Sequence, residues 1–155
     1  MLFCGINPGL VSAAKGQHFA RPGNRFWPAL HLAGFTPRQL LPAEQAELLH
    51  YGLGITNLVE RATARAEELT RDELVAGAVA LRAKVRRHQP AWLAVVGITA
   101  YRIGFSDKTA QLGRQPGRLG RTGVWVLPNP SGLNAHYGLD GLAASFAELR
   151  VGAEA

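Results

Sequence analysis

The chain opens on an apolar run, Met1 to Ile6, that ends at the turn-forming Asn7-Pro8-Gly9. A short apolar run bounded by turn residues predicts a buried strand whose carboxyl end opens into a loop. A chain that starts inside a strand is expected to lack a few upstream residues. Residues 10–24 carry Gly16, Pro22, Gly23 and Asn24 and read as a connection, after which Asn24 can cap a helix to about Ala33 with Pro28 in its first turn. A second short helix is expected from Ala43 to His50. Gly52 to Val59, β-branched and apolar, predicts a second strand, followed by a polar connection to Thr70.

Thr70 and Glu73 form a T-x-x-E capping box, and Leu74, Ala78, Leu81 and Val85 recur at helical spacing until Pro90 ends the pattern. Trp92 to Gly97 and Gly123 to Leu127 predict two more apolar strands. A helical segment near Thr99 to Gly104 and a Gly/Arg-rich stretch separate them. A last helix is expected from Leu139 to Leu149. Strands alternating with helices indicate a parallel sheet covered on both faces, and ligands in such sheets collect at the carboxyl ends of the strands. The loops after the first, second and fourth strands are therefore the places to look for chemistry.

Composition narrows the function classes. A chain of 155 residues with 47% hydrophobic and 18% charged positions has the length of one domain and the balance of a soluble one. Seventeen Lys and Arg against eleven Asp and Glu give a net charge of +6, which points to a polyanionic partner, nucleic acid first. One cysteine, Cys4, excludes an internal disulfide framework, a four-cysteine zinc site and a cysteine-bound iron–sulfur cluster. Cytoplasmic, metal-free chemistry is the expectation. The sequence has neither an apolar run of eighteen residues nor an export-type amino terminus, so no membrane partner is expected.

Two loops share a motif. Residues 5–9 read GINPG and residues 129–134 read NPSGLN, so Asn7 and Asn129 each fall just past a strand, at strand ends expected to be neighbours. Paired uncharged amides suit a neutral amide-like ligand such as a pyrimidine edge. Asn and Pro also simply build tight turns, and either motif alone is open to that reading.

Four words in order, GINPG (5–9), PGNRFW (22–27), GITNLVER (54–61) and LPNPSGLN (127–134), resemble the mismatch-specific uracil-DNA glycosylases, which include the thymine-DNA glycosylases. The resemblance covers nearly the whole chain. It implies a three-layer α/β/α sandwich with a four-stranded parallel sheet, and hydrolytic release of uracil from G·U mismatched duplex DNA by base flipping. Neither a metal nor an organic cofactor is implied, and the protein is expected to be a monomer.

The resemblance also assigns roles. Asn7 takes the place of the residue that aims the attacking water, and backbone N–H groups near Ile6 and the 129–131 turn, which includes Ser131, would hold charge developing on the base. Phe19 matches the aromatic that stacks on the extruded base, although core packing explains it equally. Gly9 falls where strictly uracil-selective relatives carry a bulky aromatic, which would leave room beside carbon 5 for thymine or a modified cytosine. Ser12 matches a pocket-wall position, with a solvated loop serine as its alternative. Gly132, Leu133 and Asn134 match the wedge that fills the hole in the duplex. Asn129 would face the base edge or hold its loop. Lys15, Lys84 and Lys108 match no catalytic position, so Schiff-base chemistry is not expected.

Carboxylates on the pocket side are expected to be Glu60, Glu67, Glu68 and Asp72. Asp72 is the auxiliary catalytic candidate, although an acid in the first turn of a helix already has a helix-dipole explanation. His18 is a further titrating candidate. Lys108, Arg114, Arg118 and Arg121, with no intervening acid, can track phosphates or form a solvated basic loop. The rival reading is a DNA mismatch- or lesion-binding module that keeps the fold without the chemistry. A Walker-type phosphate loop and a G-x-S-x-G hydrolase both lack their motifs.

Overall fold

Alternation along the buried strands decides how the layers stack. In a computed structural model that describes residues 1–154, β1 (Leu2–Gly5) sends Phe3 to one face of the sheet and Cys4 to the other. β3 (Trp92–Val96) and β5 (Thr122–Leu127) do the same, with Ala94, Val96, Trp125 and Leu127 on the Phe3 side and Leu93, Val95, Val124 and Val126 on the Cys4 side. Each strand reads as an unbroken apolar run because helices cover both faces.

The Phe3 side is covered by α2 (Phe26–Leu32), α5 (Leu139–Glu154) and a 3-10 segment, Pro42–Tyr51. Phe26, Leu30, Leu48, Leu142 and Phe146 fill that core. The Cys4 side is covered by α3 (Arg71–His88) and α4 (Ile98–Gly104), whose Leu74, Ala78, Leu81, Val85 and Tyr101 pack on the strands. The result is a three-layer α/β/α sandwich.

β2 (Gly54–Asn57), β1, β3 and β5 are all parallel, as the pattern predicts, and the structure sets them in that order. A fifth strand corrects the count. β4 (Gly113–Leu119) joins β5 as an antiparallel edge through a two-residue turn, Gly120-Arg121, with Gly120 at φ 61°. This strand lies in the Gly/Arg-rich stretch and gives no hydrophobic signal, because Gln115 is its only buried side chain. Ladder hydrogen bonds and a hairpin turn hold it instead. Another element that pattern does not predict is α1 (Leu10–Lys15), six residues closed by Gly16 in the left-handed conformation.

The helix starts follow their local chemistry. Asn24 Oδ1 accepts the Phe26 N–H at 2.9 Å, and the Thr70–Glu73 capping box closes in both directions at 3.1 and 3.2 Å. α3 sits close to the sheet because Gly77 faces the chain just past β2: a Cβ there would lie 2.3 Å from the Leu58 carbonyl oxygen. Ala normally stabilises a helix interior over Gly by about 1 kcal/mol. Gly77→Ala is expected to reverse that sign and destabilise by roughly 1–3 kcal/mol, because backbone must move to admit the methyl group. Urea unfolding of the two proteins measures the difference.

Candidate active site

β1 and β2 stay paired past their ends. Leu58 N–H donates to Gly5 O at 2.8 Å and Val59 N–H to Ile6 O at 2.9 Å, so the loops after both strands leave the sheet together. Thr63 then returns to β1's loop, its N–H donating to Pro8 O at 3.2 Å, and forms an isolated bridge with Gly9. Asn7 lies inside this frame. Its Nδ2 donates to Arg61 O and to Thr63 Oγ1, both at 2.8 Å.

These partners fix which way the amide faces. A backbone carbonyl only accepts, and the single proton of the Thr63 hydroxyl goes to Arg65 O at 2.7 Å, so Thr63 Oγ1 meets Asn7 as an acceptor too. Both amide hydrogens are therefore used inside the protein, while Oδ1 has no protein partner among the described residues. Asn7 is half-buried at the carboxyl end of the sheet and offers one oriented acceptor oxygen.

Phe19 approaches the end of the same strand. A Cβ on Gly5, two residues before Asn7, would lie 3.2 Å from Phe19 Cζ. One face of the Phe19 ring stacks on Phe26, centroids 4.2 Å apart and 18° from parallel, and Phe26 is fully buried. Core packing thus accounts for one face of Phe19, and the ring as a whole is half-buried. Its φ of 51° is the left-handed region, unusual for an aromatic. Three bonds around it hold that conformation: His18 N–H to Gln45 Oε1 at 2.8 Å, Trp27 Nε1 to His18 O at 3.1 Å, and Ala20 N–H to Ser12 Oγ at 3.0 Å.

Ser12 accordingly lies in α1, 8% exposed, and neither lies in a loop nor is solvated; its hydroxyl is spent on the Phe19 segment. Burial pushes the His18 imidazole below its ordinary value, which favours the neutral ring. Burial also pushes the Cys4 thiol up to about 12, so it is no nucleophile. Gly9 precedes α1 at φ −70°, and a Cβ there would meet nothing within 4 Å.

Asn129 requires two corrections. β3 lies between β1 and β5, so Asn7 and Asn129 share the carboxyl edge of the sheet but are two strand spacings, about 10 Å, apart and not at neighbouring ends. The gap is filled by Ile6, whose Cδ1 would be 2.9 Å from a Cβ on Gly97; Gly97, at φ 146°, has the conformation and the missing side chain this requires. In addition, Asn129 Oδ1 accepts the Ser131 N–H at 2.9 Å, so this amide oxygen holds its own loop and the Ser131 N–H is not free to meet a charged base. The same turn uses Leu133 N–H on Ser131 Oγ and Asn134 N–H on Ser131 O.

In that loop Leu133 is 62% exposed, and Gly132 passes so close to Gly23 that a Cβ would lie 2.8 Å from its carbonyl oxygen. A cleft of about 330 Å³ separates the turn at residues 21–25 from the loop at 131–133. Arg21 and Arg25 line it, and sequence reasoning gave neither a role, although PGNRFW contains Arg25.

A further finding decides what this arrangement belongs to: the family model of the uracil DNA glycosylase superfamily matches residues 1–150. The chain belongs to the uracil DNA glycosylase superfamily. Its members are hydrolases of N-glycosyl bonds in DNA, and the glycosylase fold here puts Asn7, Phe19, Gly9 and the 129–134 loop at one end of the sheet.

The other candidates stand apart. Asp72 is exposed in the first turn of α3 and its carboxylate makes no hydrogen bond or ion pair among the described residues, so nothing ties it to Asn7. The carboxylate that is tied to Asn7 is Glu73, the next residue. It takes Arg61 Nε at 2.8 Å and Nη2 at 2.9 Å, and Arg61 O is one of the two acceptors of the Asn7 amide. Glu60 borders a separate cleft of about 320 Å³ between β2 and α3. Glu67 and Glu68 are exposed in a 3-10 turn, Ala66–Glu68.

The basic stretch divides as well. Arg118 pairs in register with Gly123 near the start of β5, its guanidinium donates to Arg121 O, and Arg114 stacks over Trp92, the first residue of β3, at 5.1 Å. Arg118 and Arg121 serve the amino end of the sheet, five residues or about 17 Å from the mouth, whereas Arg114 pairs with Trp125, two residues before the carboxyl end of β5. Contiguity in sequence does not survive a hairpin that runs away from the site.

The Arg61 guanidinium and the Thr70 N–H hold the Glu73 carboxyl down at about 2, below its ordinary 4.5. A carboxylate depressed by folding stabilises the native state above its unfolded pKa, and that contribution is lost as pH falls through the folded value. The stability advantage of the parent over Glu73→Gln is therefore expected to be constant above about pH 5 and to shrink from 4.5 toward 2. Urea unfolding across that range measures it, and an advantage that grows on acidification contradicts the assignment.

Proposed function

We propose that this chain is a monofunctional DNA glycosylase that releases uracil opposite guanine from duplex DNA by hydrolysis, with the base turned out of the helix into the mouth between Asn7 and Phe19. The observation that carries the reading is the Asn7 amide, whose nitrogen is fully engaged and whose Oδ1 is presented as an acceptor. A water that donates one hydrogen to Oδ1 keeps a lone pair directed away from the protein, toward C1′ of a nucleotide in the site.

An amide does not titrate, so Asn7 aims the water and does not take its proton. The glycosidic bond breaks first, its electron pair leaving with the base as an anion, and the sugar becomes an oxocarbenium-like cation that water captures readily. The water's second proton passes to solvent or to the departed base, leaving an abasic sugar and free uracil. Phe19 supports the ring of the extruded base from its rigid position on Phe26. Leu133, exposed on the 129–134 loop, fills the space the nucleotide leaves. A G·U pair costs less to open than a Watson–Crick pair, which favours mismatched substrate.

With labelled G·U duplex in chelator, followed by alkali, the parent is expected to give breaks at the uracil, and Asn7→Ala to slow single-turnover release by about 100-fold. No breakage above buffer overturns the proposal, and tight mismatch binding without release identifies a recognition module instead.

The empty space at Gly9 adds a substrate proposal: the mouth also admits a methylated or otherwise enlarged pyrimidine. Because φ there is −70°, an aromatic side chain fits the backbone without strain. Gly9→Phe is expected to lower release of thymine relative to uracil by roughly 10- to 200-fold, the range a pocket contact of this size supports. Competing G·U and G·T duplexes in one reaction give the ratio, and an unchanged ratio shows that Gly9 does not border the base.

A further inference from the structure

We propose that Arg25 is the positioning residue of the insertion loop: by gathering the carbonyls of Ser131, Asn134 and Tyr137 on one guanidinium, it holds Leu133 out toward the DNA. The inference rests on the proposed insertion role of that loop.

Arg25 is itself firmly placed. It immediately precedes α2, its own N–H donates to Pro130 O at 2.9 Å, and the next two residues, Phe26 and Trp27, are buried in the core. From that base Nη1 donates to Tyr137 O, while Nη2 donates to Ser131 O and, at 3.2 Å, to Asn134 O. Three carbonyls spread over residues 131–137 rarely point at one spot, and a planar fork with several fixed donors is what lets a single side chain take them all.

The loop has few other ties to the body. The side-chain bonds of Asn129, Ser131 and Asn134 stay within residues 129–136. Tyr137 packs on the core at the far end, and Gly132 lies on the Gly23 carbonyl. Between those two points the Arg25 guanidinium joins the loop to the protein, and Leu133 projects from the spanned segment.

The charge chemistry agrees. Arg25 belongs to no ion pair among the described residues, and its Nε is buried without a partner. A buried donor left unpaired marks a fork oriented for something else, here the loop carbonyls. Lys at this position keeps the charge and loses the fork.

The test is a double-mutant cycle on one quantity: the preference for a duplex with a tetrahydrofuran abasic analogue opposite guanine over the fully paired duplex. Arg25→Ala and Leu133→Ala are each expected to lower it roughly tenfold, and the double variant no further than the lower single one, because Arg25 acts through Leu133. Affinity for the paired duplex stays within about twofold in Arg25→Lys, which still loses the preference; this variant also serves if Arg25→Ala does not fold. Additive losses, an unchanged preference in Arg25→Lys, or a parent with no preference each overturn the proposal. Base release measured alongside separates the two ideas: a parent that prefers the abasic duplex but frees no uracil removes the glycosylase reading and leaves the role of Arg25 intact.

Discussion

The Asn7 side chain finds only acceptors within reach of its nitrogen, and the rest of the site follows from that constraint. An asparagine amide can ordinarily be turned either way, but the Arg61 carbonyl cannot donate and the Thr63 hydroxyl has given its proton to Arg65 O. The oxygen is left outward by elimination. This happens because the loops after β1 and β2 stay hydrogen-bonded beyond the strands, and because Arg61 is clamped by a bidentate ion pair to Glu73 in the first turn of α3. Helix start, edge strand and the loop that carries Asn7 thus form one connected unit.

A second constraint is steric. Gly5 admits Phe19, Gly97 admits Ile6, and Gly132 admits the Gly23 carbonyl, each closer than most Cβ contacts allow. The mouth is assembled from close approaches between segments that meet only at the carboxyl end of the sheet. Phe19 illustrates the cost: an aromatic in a left-handed conformation persists because Ser12, Gln45 and Trp27 each hold a neighbouring backbone group.

Positive charge is spread over the molecule, with Arg82 and Lys84 on α3 and Arg150 on α5. Arg21 and Arg25 stand at the cleft beside the 131–133 loop, whereas Arg118 and Arg121 attend the amino end of the sheet. Net charge alone points to a polyanion, but it does not say which cations stand near the 129–134 loop. Arg25 is the unusual member of that group, since its donors face inward to loop carbonyls.

The sequence by itself determined the layers, the four parallel strands, the start of α3 and the two Asn-Pro loops, because each rests on local periodicity, capping or turn chemistry. It also singled out Asn7, Phe19, Gly9 and Leu133 through the resemblance of whole words. Tertiary structure decided everything that depends on which segments meet. Strand order put β3 between Asn7 and Asn129; the Asx turn at Ser131 took Asn129 Oδ1 into its own loop; β4 formed from residues without a hydrophobic pattern; Glu73 rather than Asp72 joined the Asn7 frame. Thr63 and Arg25 act through single hydrogen bonds to distant residues, and such bonds leave no period or spacing in a chain, because their partners are chosen only when the sheet brings them together.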